Sequence, residues 1–122
     1  MSTTDPDCLF CKIVGGELPS EQVYSDDQAV AFRDIAPRAP VHVLVVPRAH
    51  IPTAHDLDRA DDALITHLLD ITRQIAVAEQ IADGYRLATN IGTKGGQAIG
   101  HLHFHVLGGR QLGHIDSEDA PA

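Results

Sequence analysis

The sequence predicts an α+β domain: an antiparallel sheet of about five strands, one long helix on a face of that sheet, and a short N-terminal helix. Three observations carry this. Apolar residues recur at steps of three and four from Leu64 through Leu68, Ile71, Ile75, Ala78 and Ala82. His101 to Leu107 alternates strictly between two residue classes, as an extended strand does. Turn residues at Asp26-Asp27, Pro37 to Pro40, Asp83-Gly84 and Gly92 to Gly96 separate short β-branched runs.

Taken in order, Cys8 to Val14 has room for one short helical piece, stopped by Gly15-Gly16. Gln22 to Ser25 and Ala29 to Asp34 flank Asp26-Asp27 as the arms of a hairpin. Val41 to Val46 is β-branched, mostly apolar and followed by Pro47, the pattern of a central strand. In the long helix, Asp61 and Asp62 suit the positive N-terminal end, and Gly84 is the expected stop. Tyr85 to Asn90 and His101 to Leu107 complete the strands. Residues 1–7 and 115–122 read as disordered tails, leaving one domain over residues 8–114.

Composition narrows the function. The chain has 122 residues, enough for one domain, and 43% of them are hydrophobic, which rules out disorder as a whole-chain description. Its net charge of −8 argues against a broad phosphate-backbone footprint, so no nucleic-acid partner is expected. A single small phosphate remains possible, because a few backbone N–H groups and histidines hold one locally. Val43 to Val46 is far too short an apolar run to cross a bilayer, and Met1 to Asp7 lacks the basic and apolar regions of a signal peptide, so no membrane partner and a cytoplasmic location are expected. In a reducing compartment Cys8-x-x-Cys11 is metal-binding, redox-active or incidental.

The chemistry concentrates in Gly100-His101-Leu102-His103-Phe104-His105-Val106-Leu107-Gly108-Gly109. Period two puts His101, His103 and His105 on one face and Leu102, Phe104 and Val106 on the other. The apolar face packs under the helix. The histidine face has no structural reason to exist, since adjacent imidazoles repel when protonated and lose solvation when buried. Such a row binds a metal, moves protons or attacks an electrophile. Just upstream, Asn90-Ile91-Gly92-Thr93-Lys94-Gly95-Gly96-Gln97 is a glycine-rich loop; alone it reads as a hairpin loop, but placed before a histidine strand it suggests a phosphate cradle facing a nucleophile.

This segment, with Val106-Leu107-Gly108-Gly109-Arg110 behind it, resembles the signature of the histidine-triad (HIT) family in its Hint-like branch. Cys8 to Ile13, Glu17-Leu18-Pro19, Ala31 to Ile35, Ala39 to His42 and Pro47 to Ile51 resemble further landmarks of that branch, so the likeness spans roughly residues 8 to 112. It implies a HIT-like fold and a hydrolase that cleaves nucleoside 5′-phosphoramidates or related purine nucleotide conjugates. In that scheme His103 is the nucleophile, a nucleotidyl-histidine is the intermediate, and a nucleoside monophosphate such as AMP or GMP is released. His105 would act on the phosphoryl group and His42 would support proton transfer; a backbone carbonyl or His42 would fix the tautomer of His103. Asn90, Gly96 and Gln97 would complete the phosphate site, Asp34 and Ile35 the ribose contacts, and Phe10, Ile13 and Phe32 the apolar base pocket. Where this branch commonly has a serine after the glutamine, the chain has Ala98, which offers no donor.

The resemblance also implies a structural zinc on Cys8, Cys11, His50 and His101, and a homodimer built through the long helix and a sheet-edge strand. No organic cofactor is expected. His55, His67 and His114 read as surface residues. Two readings of other classes stay open here: a nucleotide-binding interaction module with weak catalysis, and a metalloenzyme in which all three triad histidines hold the metal. Within enzymes, a dinucleoside polyphosphate hydrolase or nucleotidyltransferase is the alternative.

Overall fold

A computed structural model describes residues 5–116. Its elements in order are α1 (Leu9–Val14), β1 (Gln22–Ser25), β2 (Ala29–Arg33), β3 (Val41–Pro47), α2 (Asp62–Ala78), β4 (Tyr85–Ala88) and β5 (Phe104–Gly108). The five strands form one antiparallel sheet in the order β1-β2-β3-β5-β4. Of the expected tails, residues 1–4 and 117–122 lie outside the described residues; Asp5 to Asp7 make a turn into α1, with the Cys8 amide donating to the Asp5 carbonyl at 3.0 Å.

Helices cover both faces of the sheet, and the alternation in β2 and β3 divides their residues between them. Ala29, Ala31, Val43 and Val45 pack with Leu102 and Val106 against Leu68, Ile71, Ile75 and Ala76 of α2. Val30, Phe32, Leu44 and Val46 pack against Phe10, Ile13 and Val14 of α1. With both faces covered, β3 reads as a continuous apolar run, which is why its strand character was visible from composition alone. Leu44 pairs with His105 in the β3–β5 register, so His105 belongs to the α1 face, as does His42 two residues before Leu44.

Three boundaries differ from the sequence expectation by two residues or more. β4 ends at Ala88, short of Asn90, and β5 starts at Phe104, so His101 and His103 precede the strand. The pairing fails there because β4 has ended and β3 finishes at Pro47, which has no N–H to offer. The backbone is held by other bonds: Leu102 N–H donates to the Ile51 carbonyl at 2.6 Å, and the Thr89 hydroxyl donates to the His103 carbonyl at 2.8 Å. Burial still alternates in its partners, with Leu102 in the α2 core and His103 against Phe10 on the other face.

The third difference is the end of α2, which stops at Ala78 and excludes Ala82. Gln80 takes a left-handed conformation, φ 63°. Its N–H donates to the Val77 carbonyl and that of Ile81 donates to the Ala76 carbonyl, the paired bonds that close a helix on a left-handed residue. The side chain of Ile81, now outside the helix, is buried in the core. Glycine normally fills this position, so Gln80 gave no stop signal. Gln80→Gly is expected to raise stability by about 0.5–1 kcal/mol, and Tm by ~2–4 °C in thermal unfolding. An unchanged or lower Tm would show that the Gln80 side chain contributes more than its backbone costs.

His67 is also more than a surface residue. Its Nε2–H and the Tyr24 hydroxyl both donate to Asp26 Oδ2 at 2.6 Å, tying the β1–β2 turn to α2. Burial alone would raise the Asp26 carboxyl, but bonds from Tyr24, Gln28, His67 and Ala29 outweigh it and bring the pKa to about 2. His55 and His114 are exposed.

Candidate active site

His103 is 3% exposed and its ring stands edge-on to Phe10, with centroids 5.0 Å apart. Its Nδ1 lies 2.7 Å from the His101 carbonyl oxygen. A carbonyl accepts only, so Nδ1 carries a proton and, in the neutral ring, Nε2 carries the lone pair. That is the tautomer a nucleophilic imidazole needs. Of the two tautomer partners the sequence left open, the backbone carbonyl holds the position, and His42 is engaged elsewhere.

His42 lies in β3 with its ring almost wholly buried. The Arg38 backbone N–H donates to His42 Nδ1 at 3.1 Å. The proton of neutral His42 is therefore on Nε2, which faces His105 Nδ1 at 2.9 Å. Asp34 Oδ2 is 3.5 Å from the same Nε2. Burial lowers the pKa of His42 from its ordinary value; the Asp34 carboxylate opposes that shift, and Arg38 and His103 add to it. Because Arg38 N–H occupies Nδ1, the trio Asp34, His42 and His105 is built around a proton. A metal on Nε2 would require the other ring nitrogen to bear the hydrogen, against a donor. The His103 and His105 rings are 4.8 Å apart, which places His103 beside the His42–His105 pair.

The glycine-rich loop is folded on itself. Gly92 and Gly96 have φ of 74° and 90°, which lets the loop turn back. Gln97 Oε1 accepts from Gly92 N–H, while its Nε2 donates to the Pro52 and Ile99 carbonyls. The amides of Gly95, Gly96 and Gln97 also donate within the loop. The cradle read from the sequence therefore has four of its amides already bonded, and the Gln97 side chain acts as a staple. The Asn90 side chain reaches the Gly96 carbonyl at 3.4 Å.

Phe10, Ile13 and Phe32 form one buried cluster between α1 and the sheet, with Phe10 and Phe32 in edge contact at 5.5 Å. Of the three, Phe10 stands against the His103 ring. Asp34 is half-buried at the end of β2, its Oδ1 accepting from Ala36 N–H, while Ile35 beside it is 100% exposed.

A second cluster gathers Cys8, Cys11, His50 and His101, whose donor atoms all lie within 4.8 Å of one another. Cys8 Sγ is 3.3 Å and Cys11 Sγ 3.6 Å from His101 Nδ1, and Cys11 Sγ is 3.4 Å from His50 Nδ1. Both cysteines are free and buried. His101 Nε2–H donates to the Pro47 carbonyl at 2.8 Å, which leaves the Nδ1 lone pair facing the thiols. Burial pushes the pKa of His101 down to about 4, so it is neutral and able to ligate at pH 7. The same residue thus offers its ring to this cluster and its carbonyl to His103. Among the described residues, neither potential metal cluster contains His103, so the reading in which all three triad histidines share a metal finds no geometry here.

Comparison with known proteins matches the HIT domain over residues 15–112. The chain belongs to the HIT family. It is 45% identical over 106 residues to a purine nucleoside phosphoramidase of Escherichia coli K12, covering 86% of this chain and 89% of that one. Among solved structures, a HIT family hydrolase from Legionella pneumophila superposes with a TM-score of 0.86 at 44% identity, covering 88% and 96% of the two chains. A histidine triad protein from Clostridium difficile gives 0.88 at 39% identity, covering 92% and 98%.

In this HIT chain the structure brings together His42, His103, His105 and Asp34, and separately the four Cys/His donors. Sequence reading missed the backbone N–H of Arg38, the Pro47 carbonyl and the Thr89 hydroxyl, and it left unnamed which backbone carbonyl would hold His103. Main-chain partners leave no trace in residue identity. Thr89 offered one faint signal, a hydroxyl next to Asn90 at the end of a strand.

Proposed function

We propose that this HIT hydrolase cleaves nucleoside 5′-phosphoramidates or related purine nucleotide conjugates through a nucleotidyl intermediate on His103. The observation that carries this reading is the bond from His103 Nδ1–H to the His101 carbonyl, which in the neutral ring leaves the lone pair on Nε2. Nε2 attacks the α-phosphorus as the bond to the leaving group breaks; the Nδ1–H bond to the carbonyl accommodates the charge that forms on the ring. Water then displaces His103 and releases the nucleoside monophosphate. His105, adjacent to His103, is the group placed to exchange a proton with leaving group and water, since Ala98 has none to give. Asn90, Gly96 and Gln97 border the phosphate, Asp34 and Ile35 the ribose, and Phe10, Ile13 and Phe32 back the base. The kinship with a purine nucleoside phosphoramidase supports the purine preference. Mass spectrometry of protein quenched during turnover of adenosine 5′-phosphoramidate tests the reading: one adenylyl group on His103 is expected, and an adduct elsewhere or none at steady turnover overturns it.

The Cys8, Cys11, His50 and His101 cluster fits zinc. With Zn–S and Zn–N bonds of ordinary length, the sulfur–nitrogen edges of a tetrahedron are about 3.5 Å, close to the 3.3 to 3.6 Å separations found. A zinc here would pin α1 to the segment that carries His103 and stays outside the reaction. Free buried thiols suit a reducing compartment, which supports a cytoplasmic setting.

A homodimer is supported by β4, an edge strand that carries the exposed Leu87, and by Leu69 and Val77, exposed apolar residues eight positions apart on α2. Tyr85 packs into the α2-side core, so Leu87 lies on the same face of β4 as that helix. Leu87→Asp is expected to convert dimer to monomer in light scattering coupled to gel filtration, by burying a charge at the seam. An unchanged mass for a folded variant would remove this interface.

A further inference from the structure

We propose that Asp34 acts on the His42–His105 pair as well as on a ribose: it takes over as hydrogen-bond acceptor when His105 carries a proton on Nδ1. The inference rests on the His103 mechanism above and adds a positioning residue to it.

The argument is a proton count over two rings. Arg38 N–H blocks His42 Nδ1. In the neutral pair His42 therefore holds its proton on Nε2 and donates it to His105 Nδ1, 2.9 Å away, which puts the proton of His105 on Nε2. A neutral His105 in this form cannot give up that proton without becoming an anion. To serve as an acid it must first take a second proton from solvent, and the nitrogen that accepts it is Nδ1. His105 Nε2 then gives its proton to the leaving atom as the bond to phosphorus breaks, and regains one from the water that attacks the intermediate. Nδ1–H stays in place throughout, so atoms and charges balance over the cycle.

With Nδ1 protonated, two N–H groups face each other across a 2.9 Å gap in a buried site. Both need an acceptor. Asp34 Oδ2 lies 3.5 Å from His42 Nε2, and the Asp34, His42 and His105 donor atoms all lie within 4.8 Å of one another. Its Oδ1 is anchored by Ala36 N–H at 2.8 Å, which holds the second oxygen toward the rings. The other charged or titratable groups acting on His42 are Arg38 and His103, and both disfavour a cation there. Asp34 supplies the opposing charge.

The test separates the ribose role from the relay role by removing the ribose hydroxyls from the substrate. Wild type and Asp34→Asn are compared in single-turnover adduct formation on a 2′,3′-dideoxyadenosine 5′-phosphoramidate with an alkylamine leaving group. The variant is expected to form the His103 adduct at least about tenfold more slowly, and its rate should fall away at lower pH on the basic side, because loss of the carboxylate lowers the pKa of the pair. Equal affinity of both proteins for 2′,3′-dideoxyadenosine monophosphate, by calorimetry, certifies a folded site. Equal rates and equal pH profiles on this substrate would overturn the proposal and leave Asp34 as a ribose ligand. Failure of the wild type to form an adduct on His103 with either substrate would instead sink the mechanism on which it stands.

Discussion

His103→Ala is expected to lower turnover of adenosine 5′-phosphoramidate by at least ~10³-fold and to abolish the nucleotidyl adduct, while binding of AMP changes little. The size follows from the role. Without the imidazole, water must attack phosphorus directly, and the two-step route disappears. His103 is buried beside Phe10 and supports no cross-strand pair, so its truncation removes the ring contacts with Phe10 and His105 and the bond to the His101 carbonyl. Folding should survive: Leu102 and Val106 hold the segment from the α2 core, and Thr89 grips the carbonyl of residue 103. The decisive comparison is between kcat and the affinity for AMP, the latter by calorimetry. Lost turnover with retained affinity marks a nucleophile. Turnover within tenfold of wild type would transfer the chemistry to another group and discard the mechanism.

Much of this site was legible from the chain because side-chain identity carried it. Alternation from His101 to Leu107 separated ligand-bearing from core-facing residues, and that division survives although the hydrogen-bonded strand starts only at Phe104. What was hidden is the wiring. The His101 carbonyl, the Arg38 amide and the Pro47 carbonyl set three tautomers, and every residue possesses such groups, so no residue type announces them. The glycine loop misled for a related reason. Its composition states that the backbone can turn, but a turning backbone can satisfy its own amides, and Gln97 closes this one from within. Gln80 shows the converse, a left-handed position held by a residue that gives no sign of it, because the buried Ile81 that follows fixes the chain path.

The same wiring makes the thiol cluster consequential for the fold. Removing the metal with a strong chelator, or replacing Cys11 by Ser, is expected to cost about 3 kcal/mol or more and to lower Tm by ~10 °C or more. α1 has six residues, too few to hold itself as a helix, and one turn of it carries Phe10 and Ile13 into the core. Without metal, Cys8 and Cys11 are two buried thiols; burial raises the Cys11 thiol, so at neutral pH it stays protonated and makes only weak bonds to the imidazoles. A zinc held by the four donors would replace those weak contacts and join α1, the segment after β3 and the approach to β5. His101 adds an acid sensitivity to the metal-free protein. Its folded pKa of about 4 lies below the ordinary histidine value of 6.5. Between these values the unfolded chain binds a proton that the folded chain refuses, so stability is complete above about pH 6.5 and is lost as pH falls toward 4. Differential scanning calorimetry with and without chelator, from pH 7.5 to 4.5, reads both effects. Adduct formation on His103 should persist in chelated protein held well below its lowered Tm, since no reacting atom touches the cluster. Loss of the adduct in a calorimetrically native, metal-free sample would place the metal in the chemistry, and an unchanged Tm would leave the four donors without a metal to hold.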